Sequence, residues 1–83
     1  MGSFMKLMQK DAAAIINILD TRGMQAARRI FDDQTHSKYS KSAVLTEIAK
    51  TGGELGRQFV SNYPEGEQIL RELQAQKQEQ RHI

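Results

Sequence analysis

The sequence predicts an all-α fold: a small bundle of four to five short helices that can include a helix-turn-helix. Three observations point there. Apolar residues recur at helical spacing in separate stretches along the chain. Gly23, the polar run 34–42, the pair Gly52-Gly53 and the single proline, Pro64, divide those stretches. The chain has 83 residues, 39% of them hydrophobic and 6% aromatic, which allows one domain with a thin core and no deep pocket. A homodimer that buries one more face is a reasonable expectation for so small a core.

The first helix is expected over 4–20. Met5, Met8, Ala12, Ile15, Ile16 and Leu19 form its apolar stripe, and Lys6, Lys10, Asn17 and Asp20 fall opposite. Gly23 suits a C-terminal cap because glycine takes the left-handed conformation without steric cost. A second helix, about 24–34, turns Met24, Ala27, Ile30 and Phe31 inward and Gln25, Arg28, Arg29 and Asp32 outward. Residues 34–42 are polar and read as a loop, with Ser40 or Ser42 capping the next helix. That third helix, about 41–51, buries Val44, Leu45, Ile48 and Ala49.

Gly52 and Gly53 then break the helix, since each glycine costs about 1 kcal/mol relative to alanine inside one. The following stretch, 54–62, puts Leu55, Phe59 and Val60 inward. Pro64 ends it and holds Tyr63 out of helical geometry. Glu65 and Glu67 suit the first turn of a last helix, where the dipole favours negative charge, and Ile69, Leu70 and Leu73 are its buried residues. The apolar stripe stops at Leu73. Residues 1–75 therefore read as the helical domain and 76–83 as a polar, solvated tail.

Charge is distributed unevenly. The formal net charge is +2, and residues 22–50 hold six basic side chains (Arg22, Arg28, Arg29, Lys38, Lys41, Lys50) against three acidic ones (Asp32, Asp33, Glu47). There is no cysteine, so neither a disulfide nor a thiolate metal site can form. No apolar run reaches membrane-span length and no signal-peptide core opens the chain, which fits a cytoplasmic protein.

Catalytic chemistry has little to build on. His36 and His82 are the only histidines and make no metal or nucleophile constellation. Asp32 and Asp33 are adjacent, so on a helix they point apart. "TGGELG" lacks the lysine and hydroxyl of a phosphate-binding loop. The sequence thus predicts no enzyme, no cofactor and no metal.

The stretch 46–64 carries the functional reading. Ala49 and Gly53 stand four apart and Phe59 follows six later, the skeleton of two helices joined by a tight turn. Over "IAKTGGELGRQFVSNYPEGEQIL", residues 48–70, the chain resembles the helix-turn-helix of TetR-type, homeodomain-like regulators. Ile48, Ala49, Lys50, Gly53, Phe59, Tyr63, Pro64, Glu67 and Leu70 match in order, and "IINILDTRGM", residues 15–24, resembles that family's first helix and its Arg-Gly turn. The resemblance implies DNA binding. Glu54 stands where the family expects an apolar residue, and Thr51 to Glu54 has the T-x-x-E spacing of a capping box.

Two readings follow. In the first, a small DNA-binding regulator or accessory protein of phage or plasmid type would turn Arg57, Gln58 and Ser61 to the groove, because Leu55 and Phe59 face the core. Lys38, Tyr39, Lys41 and Lys50 would touch phosphates. In the second, the chain is an adaptor, inhibitor or assembly factor that offers a helical face to a partner protein. The mid-chain basic cluster tips the sequence reading narrowly to duplex DNA; Glu54 favours the partner protein.

Overall fold

In the computed structural model the backbone of residues 2–34 and 38–80 is described, with the side chains of residues 6–34 and 41–76. These residues form five helices and no strand: α1 Gly2–Arg22, α2 Met24–Gln34, α3 Lys38–Thr51, α4 Gly53–Ser61 and α5 Gly66–Gln80. The expected all-α bundle is therefore the observed fold.

A single residue joins α1 to α2. Gly23 has φ +92°, its N–H donates to the carbonyl of Ile18, and its own carbonyl accepts from the N–H of Ala27. One left-handed glycine thus closes one helix and opens the next. Ala12, Ile15 and Leu19 of α1 and Ala27 and Phe31 of α2 are buried, as their spacing predicts. Lys6, Lys10, Asn17 and Asp20 are exposed. Met5 lies outside the described side chains.

α3 starts at Lys38, earlier than the expected 41, so Ser40 and Ser42 fall inside the helix and neither caps it from a loop. The backbone carbonyl of Ser42 instead accepts the Thr46 hydroxyl at 2.8 Å. Val44, Leu45, Ile48 and Ala49 are buried against α1, α4 and α5.

α4 follows α3 after Gly52 alone. Gly53 has φ +63°, a backbone conformation that an L side chain resists. Gly56 is buried, and a Cβ there would lie 2.5 Å from the Ile48 carbonyl oxygen. A bare Cα at 56 lets α4 settle on the last turns of α3, and Phe59 and Val60 complete the same buried face.

Two sequence expectations fail at this corner. Leu55 is 46% exposed rather than inward, because Gly56 occupies the position nearest α3 and turns Leu55 toward the rim. The capping box does not form. The N-cap is Gly52, with no side-chain cap, and the Thr51 hydroxyl donates back to the Glu47 carbonyl at 2.7 Å.

Asn62, Tyr63, Pro64 and Glu65 form the turn into α5. Ile69 is buried and Leu70 and Leu73 are half-buried against the core. The helix continues to Gln80, past the end of its apolar stripe; residues 81–83, with His82, lie outside the described residues.

Candidate functional site

α4 carries three of the residues expected to read DNA. Arg57 and Ser61 are one turn apart, Gln58 lies between them, and all three are exposed. The Ser61 hydroxyl donates to the Gln58 carbonyl at 2.7 Å, and the Asn62 amide donates to the same oxygen at 2.8 Å. These side chains close the end of α4 on its own backbone. Glu54, three residues before Arg57 and four before Gln58, shares their exposed side of the helix. Glu54 and Arg57 are the only charged residues of α4, so the helix has no net charge.

Of the lysines expected at phosphates, Lys41 and Lys50 do not share a face. Lys41 and Lys50 stand nine residues apart on α3, about two and a half turns, which puts them on opposite faces and roughly 14 Å apart along the axis. Lys41 is half-buried, with its Nζ 4.9 Å from the centre of the Tyr63 ring. Arg28 approaches the same ring at 5.9 Å. The side chains of Lys38 and Tyr39, and His36, lie outside the described residues.

Tyr63 ties this second place together. Its ring packs edge-on to Phe31 at 5.2 Å and tilted to Phe59 at 5.4 Å, and Phe31 meets Phe59 edge-on at 5.6 Å. Such pairs contribute about 0.5–1.5 kcal/mol each beyond the area they bury. The Tyr63 hydroxyl donates to Asp32 Oδ1 at 3.1 Å. Burial, first, and the Asp32 carboxylate, second, push its pKa up to about 12, while Arg28 pulls it down. Part of the mid-chain cation excess is thus committed to a structural junction of α2, α3 and the α4–α5 turn. From the sequence Tyr63 reads as a helix boundary and as one of the residues shared with TetR-type regulators; neither reading points to this junction.

Lys50 and Arg57 do come together. They border an open groove of about 570 Å³ where α3, α4 and α5 meet. Ala49, Leu70 and Leu73 supply its apolar surface, and Gln74 and Gln76 stand along the α5 side. Among the described residues no acidic side chain lines it. Across α4 a second cleft, about 480 Å³, has Ala13 and Ile16 of α1 on one side and the exposed Leu55 on the other, with Asp20 at its edge. Among the described residues no cluster of three or more His, Cys, Asp or Glu could hold a metal ion. No described helix is long and apolar enough to cross a membrane.

No protein-family model, curated protein or solved structure matches this chain.

Proposed function

We propose that this chain is a non-enzymatic protein-interaction module that presents the exposed side of α4 and its two flanking clefts to a partner protein. One observation carries the reading. The outward side of α4 combines an exposed leucine, an acid and a single arginine with no net charge, between two clefts with apolar surface. A recognition helix for DNA faces a dense row of phosphates, and tight binding there needs several cations on one face. Lys41 and Lys50 lie on opposite faces of α3. The partner reading also accommodates Glu54, which would repel phosphates from the start of α4.

Duplex DNA remains the second reading, favoured by Lys50 and Arg57 bordering one groove. A photo-reactive residue at position 55 or 74, one on each side of α4, tests the choice against a control at Gln25 on α2. The partner reading expects protein adducts at 55 or 74 that excess parent chain competes away, none at 25, and no retention of random duplex DNA at physiological salt. Salt-sensitive duplex retention that Arg57→Ala abolishes would replace it with the DNA reading.

A further inference from the structure

The groove bordered by Lys50 and Arg57 is specific enough to say what chemistry fills it. Its floor is apolar: Ala49 is buried, and Leu70 and Leu73 are half-buried but face the opening. Lys50 and Arg57 are exposed and make no ion pair among the described residues, where the ion pair found is Glu67 with Arg71. Leu70 to Gln76 spans about 9 Å of α5, nearly two helical turns. The groove is partly open to solvent, and α5 lines it over that length, so it suits a row of side chains better than an enclosed small molecule.

We propose that this groove docks an acidic amphipathic helix of a partner protein. Apolar side chains at i, i+3 or i+4 and i+7 would lie over Leu70, Leu73 and Ala49, and flanking Glu or Asp carboxylates would meet Lys50 and Arg57. The charges specify the orientation and exclude cationic helices, and the apolar contact supplies most of the affinity. The inference rests on the interaction reading above and adds the chemical class of the partner.

The test uses the full chain and two labelled synthetic peptides, followed by fluorescence anisotropy. One peptide is helical with leucines at i, i+3 and i+7 and glutamates flanking them; in the other, lysines replace the glutamates. The glutamate peptide is expected to bind the parent chain, to lose at least about tenfold in affinity against the double variant K50E/R57E, and to bind R29E, a reversal on exposed α2, like the parent. The lysine peptide is expected to prefer K50E/R57E over the parent. Melting curves of the variants verify that the fold is intact, and all three substituted positions are exposed. Equal binding of the glutamate peptide to parent and K50E/R57E, an equal loss with R29E, or no binding of either peptide would overturn the proposal. So would self-association in sedimentation that K50E/R57E abolishes, which would make a second copy the occupant. Failure of the peptides with partner adducts still forming at position 74 removes the acidic helix and leaves the interaction module. Retention of duplex DNA through Lys50 and Arg57 removes both.

Discussion

At Tyr63 the ring and the hydroxyl serve different neighbours. The ring fills the junction between Phe31 and Phe59, and the hydroxyl reaches the exposed Asp32. Tyr63→Phe keeps the ring packing and removes one hydrogen bond whose acceptor can turn to water. The expected loss is at the low end of about 0.5–1.5 kcal/mol, read from denaturant midpoints. The proton itself predicts more. The folded chain holds it to about 12, above the ordinary 10.0, because burial and then Asp32 disfavour the phenolate. A raised folded pKa contributes stability that is complete below pH 10 and is lost as pH climbs toward 12. Parent melts should therefore lose stability over that interval beyond the loss in Tyr63→Phe, and parallel curves would show that the folded chain does not hold this proton. None of this was legible at residue 63. The acceptor of its hydroxyl, Asp32, and the ring of Phe31 lie some thirty residues upstream, whereas the local sequence shows only an aromatic before a proline.

Among the elements, α4 shows what helical periodicity can and cannot reveal. Gly52 and Gly53 marked the break correctly, because glycine weakens a helix wherever it sits. The inner face of α4 was misread at Leu55 because a glycine holds the innermost position, and a side chain of one hydrogen leaves no mark in an apolar pattern. The capping box failed for a different reason: Thr51 still has the Glu47 carbonyl one turn behind it, and a hydroxyl inside α3 bonds there. Variants separate these causes. Gly56→Ala sets a Cβ against the Ile48 carbonyl, a backbone atom that cannot swing away, and should cost roughly 1–3 kcal/mol or more. Gly53→Ala meets no neighbour but is strained at φ +63°, and should cost about 1–2 kcal/mol. Glu54→Gln removes an exposed acid from the first turn of α4, where the dipole favours it, and should cost at most about 0.3–1 kcal/mol, with no capping-box loss added. A Gly56→Ala protein as stable as the parent would mean that α4 does not rest on Ile48.

For the whole molecule, the core was the most legible feature. Ile15, Leu19, Phe31, Leu45, Ile48, Phe59 and Ile69 are buried as their spacing predicts, and Leu70, also expected in the core, is half-buried. Phe59 touches both other buried rings, so Phe59→Ala should cost on the order of 3–5 kcal/mol, enough to threaten a domain this small. Truncation after Ala75 should leave the melting temperature nearly unchanged, since Gln74, Ala75 and Gln76 are exposed, yet it removes the Gln76 wall of the groove and should weaken partner binding. The candidate site was only half legible. Arg57 and Lys50 could be named from the sequence, but the leucines of α5 that join them came from a helix read purely as core. The separation of Lys41 from Lys50 was open to view in the sequence, since the expected helix 41–51 already holds both and nine residues put them on opposite faces. Titration of the isotope-labelled chain, followed by amide chemical shifts, tests the account most directly. Addition of the acidic amphipathic peptide should move Ala49, Lys50, Arg57, Leu70 and Leu73, and random duplex DNA at physiological salt should move none of them. Duplex-induced shifts at Arg57, Gln58 and Ser61, with no response to the peptide, would contradict it.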